Sequence, residues 1–261
     1  MSSTTEVQTE PQTAKVDSTL AKGLSVLDAL AGAPDGRGVT ELSRELGLSK
    51  SNTFRLLKSL TVLGYVRPGP DKSYRATMKV WQVGQKVLNN LNLSDLARKE
   101  MRKLSEETGE AIYLAVPEGL SIIYIDKIDA TQPISSFTPK GGSAPIHCVG
   151  TGKALLAASY ETLRDRVKDH LVKFTDETIT DIEKLDADIQ LTVARGYAID
   201  RGEYRRRIFS FGAAIYSPDG QPIAAIGVSA PDVNLTGDRA EEICALVAAA
   251  ANAVTDAIAQ T

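Results

Sequence analysis

The stretch GVTELSRELGLSKSNTFRLLKSLTVLGYV, Gly38 to Val66, decides how the first part of the chain folds. Thr40 can cap a short helix through Leu46, with Leu42 and Leu46 one turn apart on its inner face, and Gly47 supplies a tight turn. Ser49 can cap the next helix. There Thr53, Leu56, Leu57 and Leu60 share one face, while Ser51, Arg55 and Lys58 share the opposite one. The outward face is polar and basic. That suits a helix entering the groove of a polyanion; the bland alternative is a solvated amphipathic helix.

What surrounds the stretch favours the groove. YVRPGPDKSYRA, Tyr65 to Ala76, reads as strand, turn and strand, a hairpin carrying Arg67, Lys72 and Arg75. Upstream, Leu20, Leu24, Leu27 and Leu30 with Val26 form a helical apolar stripe behind the caps Asp17 and Ser18, ended by GAPDGRG. Three helices and a basic hairpin make a winged helix-turn-helix. The small polar start of the second helix of the pair, with Lys50, Ser51, Asn52 and Arg55, fits a DNA major groove. Arg55 suits guanine and Asn52 adenine, or either grips phosphate; Lys58 and the wing bases Arg67, Lys72 and Arg75 suit phosphate. Phe54 either touches a thymine methyl or packs, with packing favoured.

Charge agrees. Between Leu20 and Val80 ten basic residues stand against five acidic ones, leaving that segment at +5 and the rest of the 261-residue chain at −8 for a total of −3. With 43% hydrophobic and 24% charged residues the chain is expected to be compact. Only Cys148 and Cys244 occur, the start MSSTTEVQTEPQTAK has no basic-then-apolar leader, and no run approaches ~18 apolar residues. A cytosolic protein without disulfides is expected.

Met1 to Val16 reads as a disordered tail, 17–77 as the winged helix-turn-helix domain and 78–93 as a linker helix with Val80, Val83, Val87 and Leu91 on an apolar stripe and Trp81 as a candidate interface anchor. From Ser94 to the end, 94–261, the pattern is α+β. A helix capped by Ser94 stops at Gly109, and AIYLAVPEGLSIIYIDKI is a hairpin turning at Pro117 to Gly119. PISSF is a strand candidate, a Gly-rich loop then leads into the GK helix, and helices are expected around Tyr160 to Asp169 and Ile182 to Arg195. GYAID, RIFSFGAAIYS and QPIAAIGVSAP are strands, and an Ala-rich helix runs from about Thr236.

GTGKALLA, Gly150 to Ala157, invites a phosphate-loop reading, but that spacing needs Gly where His147 stands and Ser or Thr where Ala154 stands. What survives is a helix start whose free N–H groups at Gly150 and Thr151 suit a carboxylate. His147, Cys148, His170 and Cys244 have no metal-ligand spacing. No catalytic constellation stands out, so neither enzyme activity nor a metal or other cofactor is expected. Arg205 to Arg207 are either solvated or include one residue facing a negative ligand, Asp200 or Glu203.

The chain resembles the isocitrate-lyase-regulator (IclR) family of bacterial transcription factors from about Asp17 to the end. The resemblance is carried by LSRELGLSKSNTFRLLKSLTVLGYV, by GGSAPIHCVGTGKALLA, and by RGYAIDRGEYRRRIFSFGAAIYSPDGQPIAAIGVSAP with its Gly196, Asp200, Glu203 and Ser210 spacing. It implies a winged helix-turn-helix, a linker helix and a GAF-like α/β effector-binding and oligomerisation domain with a mainly antiparallel sheet, working as a homodimer or a dimer of dimers. It also implies a small organic acid as effector, in a cavity placed at Ser136, Ala144, Gly150, Thr151, Asp200, Ile208, Ser210, Gly227 and Ser229. Gly227, where a hydroxyl residue is common in the family, is expected to enlarge that cavity for a bulkier ligand.

The expectation is therefore a ligand-responsive regulator that binds double-stranded operator DNA and controls genes of small organic acid metabolism, aromatic acids among the candidates. The rivals are a small-molecule-modifying enzyme with an accessory helix-turn-helix, and a ligand-free dimerising scaffold.

Overall fold

The computed structural model describes residues 17–69, 71–89, 93–135 and 138–260, and for 85–89 the backbone alone. The tail Met1 to Val16, Ser136, Leu91 and the side chain of Val87 lie outside the described residues. The chain divides into two compact units, Met1–Asn90 and Leu91–Thr261.

The first unit begins with α1 (Ser18–Ala31), whose N-cap Asp17 accepts the N–H groups of Thr19 and Leu20 at 2.9 Å. After β1 (Arg37–Gly38) come α2 (Val39–Glu45) and α3 (Lys50–Val62), then β2 (Val66–Pro68), β3 (Ser73–Ala76) and α4 (Met78–Asn89). Gly47, at φ +64°, makes the turn between α2 and α3, and Ser49 caps α3 by accepting the Asn52 N–H at 3.3 Å. Gly38, not Thr40, is the N-cap of α2. The wing is a three-stranded antiparallel sheet, β1-β3-β2, one strand more than the hairpin expected. Val26, Leu30, Leu42, Leu56, Leu57 and Val66 close one small core. The stripe on α1 divides: Val26 and Leu30 face that core, whereas Leu20 and Leu24 remain 62% and 52% exposed. On α4, Trp81 and Val83 are exposed.

The second unit opens with α5 (Leu93–Thr108), in which Ser94 is helical instead of a cap. The hairpin β4 (Ala111–Glu118) and β5 (Ser121–Ile128) turns at Gly119 and Leu120, with Gly119 at φ +61°. The next strand is β6 (Ser143–Pro145), inside the segment expected to be loop; Pro133 to Ser135 is not strand, and the chain bends from Gln132 to Ile134. Then follow α6 (Gly150–Ala158), α7 (Tyr160–Lys168), α8 (Ile182–Arg195), β7 (Ala198–Arg201), β8 (Ile208–Tyr216), β9 (Pro222–Pro231) and α9 (Arg239–Ala259). All neighbouring strands are antiparallel in the order β6-β5-β4-β9-β8-β7. The chain is thus α+β, a helix-turn-helix unit followed by helices on a mainly antiparallel sheet.

Strand alternation separates two layers. Ala111, Tyr113 and Ala115 of β4 turn to the face carrying α6 and α8, and Ile112 and Leu114 to the face where α5 and α9 pack. By length and composition α9 alone among the described helices suffices to cross a membrane. Ile243, Cys244, Val247, Ala250, Ala251 and Val254 are buried in this unit instead, which makes it a core helix.

Candidate functional site

On α3 the inner positions Thr53, Leu56 and Leu57 are buried, which turns Ser51, Arg55 and Lys58 to solvent. Lys50 is exposed at the helix start, and Asn52 is half-buried. Arg55 Nη2 donates to Asn52 Oδ1 at 3.4 Å, so the two groups proposed to read bases are already in touch. In the wing, Arg67 of β2 lies directly opposite Arg75 of β3. Like charges in that register repel, and a bound anion relieves the repulsion. Arg75 is half-buried and its Nε donates to the Asp35 carbonyl at 3.1 Å, which ties it to the α1–β1 loop; Arg67 is exposed. Lys72 sits at the hairpin tip, exposed and in the left-handed region at φ +56°.

The second constellation gathers where α6 starts on the sheet. A Cβ on Gly212 would lie 2.4 Å from the Gly150 carbonyl carbon and the Thr151 nitrogen. One on Gly150 would meet Ser210 backbone at 2.7 Å. These glycines let the helix start lie backbone to backbone on β8. The GTGK sequence is therefore a packing device. Lys153 is 1% exposed and its Nζ reaches the Ile199 carbonyl at 2.8 Å, Glu203 Oε1 at 2.6 Å and Asp188 Oδ2 at 2.7 Å. All three ammonium protons are thereby used inside the protein.

Beside this start the Gly150 N–H donates to Ser210 Oγ at 2.8 Å, and Ser210 Oγ donates to Asp200 Oδ2 at 2.7 Å. Asp200 Oδ1 accepts the Glu203 N–H at 2.6 Å. The amide expected to be free for a carboxylate is thus held by Ser210. Burial, above all, raises Asp200 to about 7; Ser210 opposes the shift and the Glu203 charge adds to it. Around this chain Tyr113, Tyr124, Thr151, Tyr204, Ile208 and Ser229 line a cavity of about 30 Å³, space for water but not for an aromatic ring. Tyr113 and Tyr124 lie 4.9 Å apart between ring centroids, and the Tyr113 hydroxyl accepts the Thr138 N–H at 3.0 Å.

Of the effector positions expected from sequence, Thr151, Asp200, Ile208, Ser210, Gly227 and Ser229 come together at this cavity, with Gly150 tied to it through Ser210. Ala144 does not line it: on β6 its side chain is buried in the core cluster beneath α6. Gly227 does not enlarge the space as expected. Its Cβ position is filled by the Phe211 carbonyl oxygen at 2.4 Å and Thr151 Cγ2 at 2.7 Å.

The tyrosines were missed by sequence reasoning. Alternation on β4 does put Tyr113 inward, but the register that sets it opposite Gly227 is visible only in the sheet. The arginine run resolves into three roles. Arg206 pairs with Asp176 at 2.7 Å, Arg207 with Asp232 at 3.1 Å, and Arg205 stacks over Tyr204 at 5.6 Å and lines the cavity. His147 is buried, with Nε2 3.2 Å from the Val172 carbonyl, and burial lowers its pKa.

Residues 19–70 match the IclR helix-turn-helix domain, and residues 85–256 match the family described as bacterial transcriptional regulator IclR C-terminal. The chain belongs to the IclR family of transcriptional regulators. It is 33% identical over 254 residues to the transcriptional repressor IclR of Escherichia coli K12, covering 95% of this chain and 92% of that one. The crystal structure of the Thermotoga maritima IclR superposes with a TM-score of 0.76 at 26% identity, over 92% of this chain and 98% of that one. An IclR homologue of Microbacterium hydrocarbonoxydans, solved in complex with 4-hydroxybenzoate, has the same fold with a TM-score of 0.81 at 22% identity, over 94% of this chain and 100% of that one. As an IclR-family member the chain is a DNA-binding transcriptional regulator through its helix-turn-helix, not an enzyme.

Proposed function

We propose that this regulator responds to a small organic acid, with a planar aromatic acid favoured, held at the cavity between the start of α6 and the sheet. The observation that carries the reading is the joining of Gly150, Ser210 and Asp200 beside three tyrosines and Arg205. Arg205 supplies the cation for the acid group and the tyrosine rings supply flat walls. An IclR homologue of the same fold was crystallised with 4-hydroxybenzoate, which supports an aromatic acid here. At about 30 Å³ the cavity must open to admit a ring, so the ligand favours a conformation other than this one.

In DNA binding, α3 enters the major groove with Lys50, Ser51, Asn52 and Arg55 toward the bases, while Lys58, Arg67, Lys72 and Arg75 face phosphates. A homodimer or dimer of dimers in the cytoplasm presents two such helices ~34 Å apart on a palindromic operator. The genes controlled are those of the acid's metabolism. Isothermal titration of the purified protein with benzoate, 4-hydroxybenzoate and aliphatic acids tests the reading: binding abolished by Ser210→Phe supports the cavity, and undiminished binding rejects it.

A further inference from the structure

One residue on α3 fits neither the core nor the polar face. Thr53 and Leu57 on either side of the inner surface are fully buried, yet Phe54 is 52% exposed. The packing role favoured from sequence is therefore not its role. Phe54 lies in the first half of α3, one turn after Lys50 and one turn before Lys58, both exposed. An apolar protein surface covering the ring would have to desolvate those two ammonium groups, which is costly. A DNA groove does not: its phosphates meet the lysines, and its floor offers one apolar group of suitable size, the C5-methyl of thymine.

We propose that Phe54 reads a thymine methyl in the major groove and is a specificity-determining residue beside Arg55. The inference rests on α3 being the helix that enters the groove. Ser51 and Asn52, close by on the same half of the helix, are short enough to let the ring approach the base edges, and the Arg55–Asn52 contact holds the guanidinium beside it. The discrimination is one of shape and burial, so it falls on the methyl alone and leaves hydrogen-bonding edges unread.

The test uses the full chain and duplexes that the wild-type protein itself selects from a random-sequence pool, with each thymine replaced in turn by uracil, which removes only the methyl. For the wild type, replacement at one thymine in each half-site weakens binding by about fourfold, the value of one buried methyl. Phe54→Ala binds the thymine and uracil duplexes equally, whereas Phe54→Leu retains the difference. Arg55→Ala weakens both duplexes and keeps the difference, which separates the two roles. Because the ring is half exposed, thermal unfolding of Phe54→Ala stays close to that of the wild type. A methyl effect that persists at full size in Phe54→Ala overturns the inference, as does a wild type indifferent to every replacement. Selection of no duplex would remove the groove-entering role of α3 and this inference with it.

Discussion

The Gly150 N–H on α6 and Ser210 Oγ on β8 are 2.8 Å apart, and the same hydroxyl donates to the buried Asp200. One side chain thus satisfies a helix-start amide and a carboxylate together. Ser210→Ala leaves both without that partner, at a cost of about 1–3 kcal/mol in urea unfolding. Stability within error of the wild type would mean that water replaces the hydroxyl at no cost.

Asp200 gives the unit a pH dependence of definite sign. Its folded pKa of about 7 stands above the ordinary aspartate value of 3.8, so the folded state holds the proton more tightly. The stability it contributes is fully present below 3.8 and is lost as pH rises to about 7. Asp200→Asn, which stays neutral, should flatten the fall in melting temperature across that range. A fall as steep as that of the wild type would assign it to other groups.

Lys153 separates a structural lysine from a phosphate-binding one. Lys153→Met leaves the buried Glu203 and the partly buried Asp188 without that ammonium group and should destabilise the protein by about 3 kcal/mol in chemical denaturation. A stable variant would show that the two carboxylates protonate or rehydrate easily.

The two arginines proposed for DNA should fail differently. Arg55→Ala should cost about 1–3 kcal/mol on the cognate duplex and relax selectivity at one base pair. Arg67→Ala should weaken all sequences alike and reduce the salt slope by about 1. Removing it also relieves the repulsion with Arg75 across the wing, so its melting temperature should not fall. Anisotropy titrations at several salt concentrations check both; identical behaviour of the two variants would contradict the assignment.

The helix-turn-helix was legible because its determinants are local: the Ser49 cap, the Gly47 turn and the spacing of Thr53, Leu56 and Leu57. The Gly, Asp and Ser positions of the cavity were legible through family spacing. What sequence withheld is set by distant segments. Strand β6 is made of Ser143, Ala144 and Pro145, weak strand formers that extend only because β5 offers an edge. Tyr113 becomes a cavity wall through its register with β9, and the Cβ space at Gly227 is taken by Phe211 of β8 and Thr151 of α6, the latter far from it in sequence. Leu20 and Leu24 share a helical stripe with Val26 and Leu30 in sequence, but the small core of the first unit reaches only the second half of α1.

The central claim is that occupancy of the cavity changes DNA binding. It is tested most directly by titrating the protein onto a selected operator duplex with and without saturating 4-hydroxybenzoate or another acid from the panel, in parallel for wild type and Ser210→Phe. The account predicts that one acid shifts wild-type affinity at least about fivefold, the lower end of allosteric coupling, and leaves Ser210→Phe unmoved although it still binds DNA. An equal shift in both proteins, or an acid that binds the wild type tightly without altering its affinity for DNA, would contradict it.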